Sequence, residues 1–300
     1  MNQLFLKELM EIMAGEVLCH ESMKRHTTFR IGGPADYYIV PDRGQLADAI
    51  ACCRKHHMHY VIIGNGSNLL VRDGGIRGLV IEIGKALSGI TIEGNMLVVG
   101  AGEMMGRVAS AALDAELSGM ECLAGIPGTI GGAVVMNAGA YGSEMKDVLT
   151  RVTVYTPEGV IRTVDAAELD LGYRHSNIPE REYIVLEAQL CLSPGRKSDI
   201  QGKMAECRDA RISKQPLEYP SAGSTFKRPE GYFAGKLIDD AGLRGYGVGD
   251  AQVSEKHCGF VINRGNASAV DVLALMEDVK QKVFAQFGVL IEPEVKIIGE

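Results

Sequence analysis

A chain of 300 residues has room for two or three compact units with their own cores. Its hydrophobic content of 46% and charged content of 23% are ordinary for a soluble globular protein, and 31 basic against 38 acidic residues, a net charge of −7, argue against nucleic acid or an anionic membrane surface as main partner. Seven cysteines, an odd number with no C-x-x-C pair, argue against a disulfide framework.

Residues 2–13 place Leu6, Leu9, Met10 and Met13 at helical spacing and predict an amphipathic helix. Lys7 and Glu8 interrupt this run before an apolar stretch develops, so no export signal is expected. No segment approaches the roughly 18 apolar residues of a membrane span, and a cytoplasmic, reduced protein is expected. The turn-rich Thr28–Pro34 leads into a strand over 35–40. Asp42 is placed to cap a helix running to about His57. A short strand, Tyr60–Ile63, ends in Gly64-Asn65-Gly66-Ser67-Asn68-Leu69-Leu70, and another strand covers 79–83. This first third alternates strand and helix.

From Ile90 the texture becomes antiparallel. A hairpin is predicted over 90–93 and 96–99 across Gly94-Asn95, then a helix over about 103–115. A second hairpin covers 151–155 and 160–163. Residues 183–192 alternate as a half-buried strand does, with Ile184, Leu186, Ala188, Leu190 and Leu192 on one face. Ser193-Pro194-Gly195 marks the expected domain boundary. Beyond it lie a helix over about 197–213, an irregular segment 216–229, a short helix near 232–241, a strand over 258–263, a long helix over 267–287 and a terminal strand over 289–298. Three segments are expected: 1–85, 86–195 and 196–288, with residues 289–300 free to return to the first.

The stretch Cys122–Gly142 holds six glycines in 21 residues and almost no charge. Such density removes Cβ atoms where a backbone turns sharply or approaches a ligand closely. Gly125–Gly132 offers successive N–H groups beside the Thr129 hydroxyl, the makings of an anion cradle; the bland alternative is a flexible surface loop. A Rossmann fingerprint is not present. Gly64-Asn65-Gly66 lacks the third glycine, and Gly100-Ala101-Gly102 is followed by Met105 at the sixth position, with no apolar strand before Glu121. Cys52/His56 and Cys53/His57 are each one helical turn apart, but the two pairs point in different directions, and histidines at a helix C-terminus suit its dipole. No metal is expected.

In the last third, Ser224 lies on a Gly-Ser turn beside Lys227. No G-x-S-x-G elbow or flanking histidine is placed to make it a nucleophile. It is instead read as a proton donor or as a structural turn serine. Arg211, Lys214, Lys227, Arg228, Lys236, Arg244 and Lys256 crowd this region, which suggests an anionic ligand such as a diphosphate; a solvated helix face accounts for Arg211 and Lys214 equally well. Glu294, beside Pro293, and Arg174, in a loop, attract no notice alone.

Taken together, Thr28–Gly33 (TFRIGG), Gly64–Leu70 (GNGSNLL), Leu123–Ala133 (LAGIPGTIGGA), Asn137–Gly142 (NAGAYG), Gly172–Ser176 (GYRHS), Ala222–Pro229 (AGSTFKRP) and Glu292–Val295 (EPEV) resemble, in order, the UDP-N-acetylenolpyruvoylglucosamine reductases of bacterial cell-wall synthesis. The resemblance implies an α+β FAD-binding fold of two subdomains, shared with flavin oxidases, plus a C-terminal α+β substrate domain. It implies FAD, NADPH as co-substrate and a nucleotide-sugar substrate; no histidine or cysteine in the glycine-rich loops is placed for covalent attachment, so non-covalent FAD is expected, and a monomer is expected. Carried over residue by residue, flavin contacts fall on Arg30, Gly64, Asn65, Gly66, Ser67, Asn68, Leu69, Gly125, Ile126, Pro127, Gly128, Thr129, Gly131, Gly132, Asn137, Gly139, Ala140 and Tyr141. The catalytic positions fall on Ser224, Arg174 and Glu294, and the substrate positions on Lys214, Lys227, Arg228 and His257. The chain looks like the shorter type, without a substrate-capping insertion. It departs from the family pattern at Val135, where an aromatic is common, and at Arg228, in place of a frequent asparagine. Two other functions stay open: a flavin oxidase or dehydrogenase acting on a hydroxyl or amine, and a non-catalytic nucleotide-sugar binder.

Overall fold

The computed structural model describes residues 2–300. Compactness divides it into one unit of Met1–Val17, Ile39–Asn65 and Val80–Arg211, and another of Leu18–Tyr38, Gly66–Leu79 and Ile212–Glu300.

In the first unit, helix α1 (Gln3–Ile12) starts at Asn2, whose side-chain oxygen accepts from the Phe5 N–H at 3.1 Å. Its buried face, Phe5 and Leu9, packs on helix α2 (Arg43–Lys55), which buries Leu46, Ala49, Ile50 and Cys53. Asp42 closes a full capping box with Gln45, satisfying two end groups reciprocally. An antiparallel sheet of five strands follows in the order Ile161–Asp165, Leu149–Tyr155, Ile184–Cys191, Met96–Gly100, Ile90–Glu93. Met96–Gly100 buries Leu97 and Val99 in the alternation of a half-buried strand, whereas the central strands are buried on both faces, at Val152 to Tyr155 and at Ile184 to Leu186.

Helix α3 (Met105–Asp114) begins later than its periodicity predicts. Glu103 is held out of it: its carbonyl accepts from the Ile130 N–H at 2.8 Å, and its carboxylate from the Met104 N–H at 3.1 Å. The short helix α4 (Ile130–Val135) then packs against the strand Ile184–Cys191. Helix α5 (Lys197–Lys214) belongs to this unit as far as Arg211, although the sequence suggested a boundary before it. Its Cys207 lies beside Cys122 of that unit, and burial first, then this neighbour, pushes the Cys207 thiol up to about 11.

The second unit has its core around Leu70, Ile238, Val261, Val272, Leu275, Val279 and Val283. Helices α6 (Ala234–Asp240) and α7 (Ala269–Phe287) pack together over an antiparallel sheet of Gly247–Val248, Ala251–Val253 and Val261–Asn263. The terminal strand is only Lys296–Ile298, and it runs parallel to Leu69–Val71. Leu18–Ser22, a mostly exposed strand that no periodicity marked, pairs antiparallel with Pro34–Ile39.

The start of α7 is heavily capped. Ser268 takes the Asp271 N–H at 3.0 Å, while the Asp73 carboxylate takes the N–H groups of Ala269 and Val270, both at 2.9 Å. These bonds satisfy three of the four N–H groups a helix leaves unpaired, with the negative charge at the favourable end of the dipole. Asp73→Ala is expected to lower the unfolding free energy by about 1–2 kcal/mol. Urea unfolding checks it through a lower midpoint at unchanged slope; an unchanged midpoint would show the cap to be idle.

Candidate active site

In the first unit, the glycine-rich segment is fastened along one side. The N–H groups of Ile130 and Gly131 donate to the carbonyls of Glu103 and Ala101, both at 2.8 Å, and the Met105 N–H donates to the Gly128 carbonyl at 3.1 Å. Asn65 donates from its side chain to the Pro127 carbonyl at 2.7 Å. Thr129 caps α4 by accepting from the Gly132 N–H at 3.4 Å. A Cβ on Gly64 would lie 2.5 Å from the Thr129 hydroxyl oxygen, so these two segments fit only with glycine there. Gly128, Thr129, Ile130 and Gly131 are buried, whereas Gly125, Pro127 and Gly132 are exposed. One edge of the backbone therefore faces outward.

Beside it, Gly139–Ala140 and Ser143–Glu144 form a two-stranded hairpin whose turn, Tyr141-Gly142, has φ of +52° and +85°, as a type I′ turn requires. The turn presents Tyr141, 44% exposed. Asn137, at 0% exposure, ties this hairpin to the loop carrying Arg174. Its amide nitrogen donates to Glu144 Oε2 at 3.1 Å and to the Gly172 carbonyl at 2.8 Å, and its oxygen accepts from the Lys146 N–H at 2.9 Å. Arg174, with φ of +53°, donates to the Gly139 carbonyl at 2.9 Å, and its guanidinium carbon lies 5.1 Å from the centre of the Tyr173 ring. The Glu144 carboxyl is held low by its bond to Lys146, assisted by Asn137 and by the charges of Lys146 and Arg174. The Asn137 side chain is thus committed to partners within the protein. Asn137→Ala should cost about 2–4 kcal/mol, because it leaves buried partners unpaired. Thermal unfolding reads this as a lowered Tm, and wild-type stability would contradict the clamp.

In the second unit, Ser224 and Glu294 meet around one buried residue, Thr225 (3% exposed). Its N–H donates to the Gly259 carbonyl at 2.8 Å, its carbonyl accepts from the Glu294 N–H at 2.8 Å, and its hydroxyl oxygen accepts from the Val261 N–H at 2.8 Å. Ser224 itself is half-buried, and its hydroxyl makes no hydrogen bond within its unit. Asn68 joins the group, donating to the Glu294 carbonyl at 3.2 Å and accepting from the Lys296 N–H at 2.9 Å through its own carbonyl. Gly66 (φ +59°) passes so close to the His26 carbonyl that no side chain fits there. Ser67 and Leu69 are half-buried, while Arg30 (φ +55°) is exposed on the neighbouring turn. Nothing in the sequence marked Thr225 out; its role exists only once three separate segments meet.

The basic residues differ in their availability. Lys227 pairs with Glu292 at 3.1 Å, Arg244 pairs with Asp239 at 2.7 Å, Lys236 pairs with Asp240, and Lys256 donates to the Ile212 carbonyl at 2.7 Å. Arg228 donates to the Tyr232 carbonyl at 3.3 Å and covers the Phe233 ring, 3.9 Å from its centre. Lys214 is exposed. His257 is half-buried, and its Nδ1 accepts from the Gly259 N–H at 3.0 Å. Burial above all, then the charges of Arg244 and Lys214, pushes its pKa down. A neutral ring held this way keeps its proton on Nε2, ready to donate. Elsewhere, Cys52 and His56 do gather with Glu8, their ligand atoms within 4.8 Å of one another. The Glu8 carboxylate is taken by Lys55 at 2.8 Å and His56 at 2.9 Å, an ion-pair clasp joining α1 and α2.

A family described as "UDP-N-acetylenolpyruvoylglucosamine reductase, C-terminal domain" matches residues 215–298, and one described as "FAD binding domain" matches residues 34–165. The reductase of that name from Agathobacter rectalis is 58% identical, with all of both chains covered, and that from Caldanaerobacter subterraneus is 49% identical over the same full extent. A crystal structure of UDP-N-acetylenolpyruvylglucosamine reductase from Thermus caldophilus superposes with a TM-score of 0.81 at 38% identity, covering 94% of this chain and 98% of the other. The chain belongs to the UDP-N-acetylenolpyruvoylglucosamine reductase family, FAD-dependent oxidoreductases of peptidoglycan precursor synthesis, and has the α+β flavin-binding fold that its motifs implied.

Proposed function

We propose that this chain uses NADPH to reduce the enolpyruvyl ether of UDP-N-acetylglucosamine enolpyruvate to the lactyl ether of UDP-N-acetylmuramate, with Ser224 as the proton donor. The observation that supports it most is the knot at Thr225, which holds Ser224 and Glu294 together in a chain 58% identical to a named reductase. The residues present fit FAD: the outward edge at Gly125, Pro127 and Gly132 is bare backbone, able to lie against a flat ring or a diphosphate. Bound FAD would supply the redox chemistry, the relay of hydride equivalents between NADPH and the methylene carbon of the enolpyruvyl group.

The protein's own part begins as negative charge develops on the neighbouring carbon and its carboxylate. Arg174, fixed by the Gly139 carbonyl, opposes that charge with a planar fork suited to a carboxylate, and Glu294 is assigned to the same end of the substrate. Ser224 then gives its hydroxyl proton to the carbon. A serine hydroxyl is a weak acid, so transfer requires a strongly basic carbon and a site from which water is excluded. Gly64–Leu69, Gly125–Gly132 and Asn137–Tyr141 are assigned to the cofactor, and Lys214, Lys227, Arg228 and His257 to the nucleotide sugar. We assign the chain to the cytoplasm as a monomer; among the described residues no helix is long and apolar enough to cross a membrane.

The test is turnover in D₂O with NADPH and the enolpyruvyl nucleotide sugar. The reading expects the reduced product with deuterium on the carbon bearing the ether oxygen, and hydrogen or deuterium on the former methylene carbon according to how far the reduced flavin exchanges its N–H with solvent. A flavin reduced by an alcohol or amine, and not reoxidised by the enolpyruvyl compound, would establish the oxidase reading in its place.

A further inference from the structure

Helix α5 meets the glycine-rich loop through two side chains one turn apart. Cys207 lies beside Cys122, and Arg211 lies on Gly125, where a Cβ would sit 3.0 Å from Nη1 and 3.2 Å from Cδ of the arginine. Glycine at 125 leaves the room that this guanidinium occupies. Arg211 also continues the inward stripe of Ile200, Met204 and Cys207, so it stands on the packed side of the helix and not on a solvated face. Burial depresses its pKa, opposed only by the nearby Tyr141, and no carboxylate pairs with it among the described residues. A guanidinium keeps its charge in all ordinary conditions. Holding it half out of water with no counter-ion is unfavourable, and an arriving anion reverses that.

We infer that Arg211 is an anion-binding group of the glycine-rich loop, and that its ligand is a diphosphate, carried either by the flavin dinucleotide or by the nucleotide sugar. This assignment rests on the proposed reaction, which brings both molecules to the protein. The planar fork matches two phosphate oxygens at once, and the exposed backbone at Gly125 and Tyr141 at the hairpin turn flank the same guanidinium.

Arg211→Met and Arg211→Lys test it. Binding of FAD and of riboflavin to the full chain stripped of flavin is measured by fluorescence quenching, and inhibition by UDP and by uridine is measured on the flavin-loaded enzyme. Arg211→Met is expected to weaken one phosphorylated ligand relative to its phosphate-free counterpart by about tenfold to hundredfold, with Arg211→Lys recovering part of the loss. A loss confined to FAD names the cofactor as the source of the diphosphate, and a loss confined to UDP names the nucleotide sugar. Equal losses within both pairs, or no loss in either, overturn the assignment. If Arg211→Met does not fold, Arg211→Lys and Arg211→Gln, which keep a polar side chain of similar length, are read the same way. A wild-type chain that binds neither FAD nor UDP would sink the proposed reaction itself, whereas wild-type binding with unaltered variants sinks only the role of Arg211.

Discussion

Ser224→Ala is expected to be bleached by NADPH at the wild-type rate and to be reoxidised by the enolpyruvyl nucleotide sugar about 10²–10⁴-fold more slowly, or not at all. The reasoning starts with what the substitution leaves intact. The loop around Ser224 is anchored by the backbone and hydroxyl of Thr225, and the Ser224 hydroxyl makes no bond within its unit whose loss would loosen that anchor. Alanine therefore removes a proton donor and little else. A serine that only shaped the turn would give a different result, since a distorted loop disturbs both half-reactions. Parallel slowing of bleaching and reoxidation, seen by stopped-flow absorbance, would make Ser224 structural.

Arg174→Lys should slow the same second half-reaction by about 10²–10³-fold, the usual cost of losing one preorganised donor to a developing oxyanion. Lysine keeps the positive charge but has neither the fork nor the planar donors. It also gives up the bond to the Gly139 carbonyl, which aims the guanidinium, and it must hold the same left-handed backbone at φ +53°. Bleaching by NADPH should be unaffected. Reoxidation at the wild-type rate in this variant would remove Arg174 from the site.

Much of this architecture is legible in the residues. Tyr60–Ile63 and Ile184–Cys191 stand where their apolar patterns place them, and α2 begins at the Asp42 cap. These elements carry their instructions locally, in periodicity and capping. Leu18–Ser22 carries none, because it is mostly exposed and is held by pairing with a strand more than ten residues on. The three residues of Leu69–Val71 are too few to show a period, and their partner arrives from the far end of the chain. The loop 258–260, expected as strand, turns instead around His257, whose ring accepts from the Gly259 N–H.

The candidate site divides along the same line. Glycine density made Gly125–Gly132 conspicuous, since composition alone carries that signal. Asn137 and Thr225 could not be singled out as positioning residues, because each draws its importance from partners on other segments that meet only in the folded chain. Arg211 did have a signal, its place in line with Ile200, Met204 and Cys207, but the charge crowd around it suggested a solvated face with equal force.

The most direct measurement is the visible spectrum of the purified chain, taken as isolated, after anaerobic NADPH, and after addition of the enolpyruvyl nucleotide sugar. The account predicts an oxidised flavin spectrum that NADPH bleaches and the nucleotide sugar restores. A colourless protein that takes up no FAD, or a bleached flavin that the nucleotide sugar leaves reduced, would contradict it.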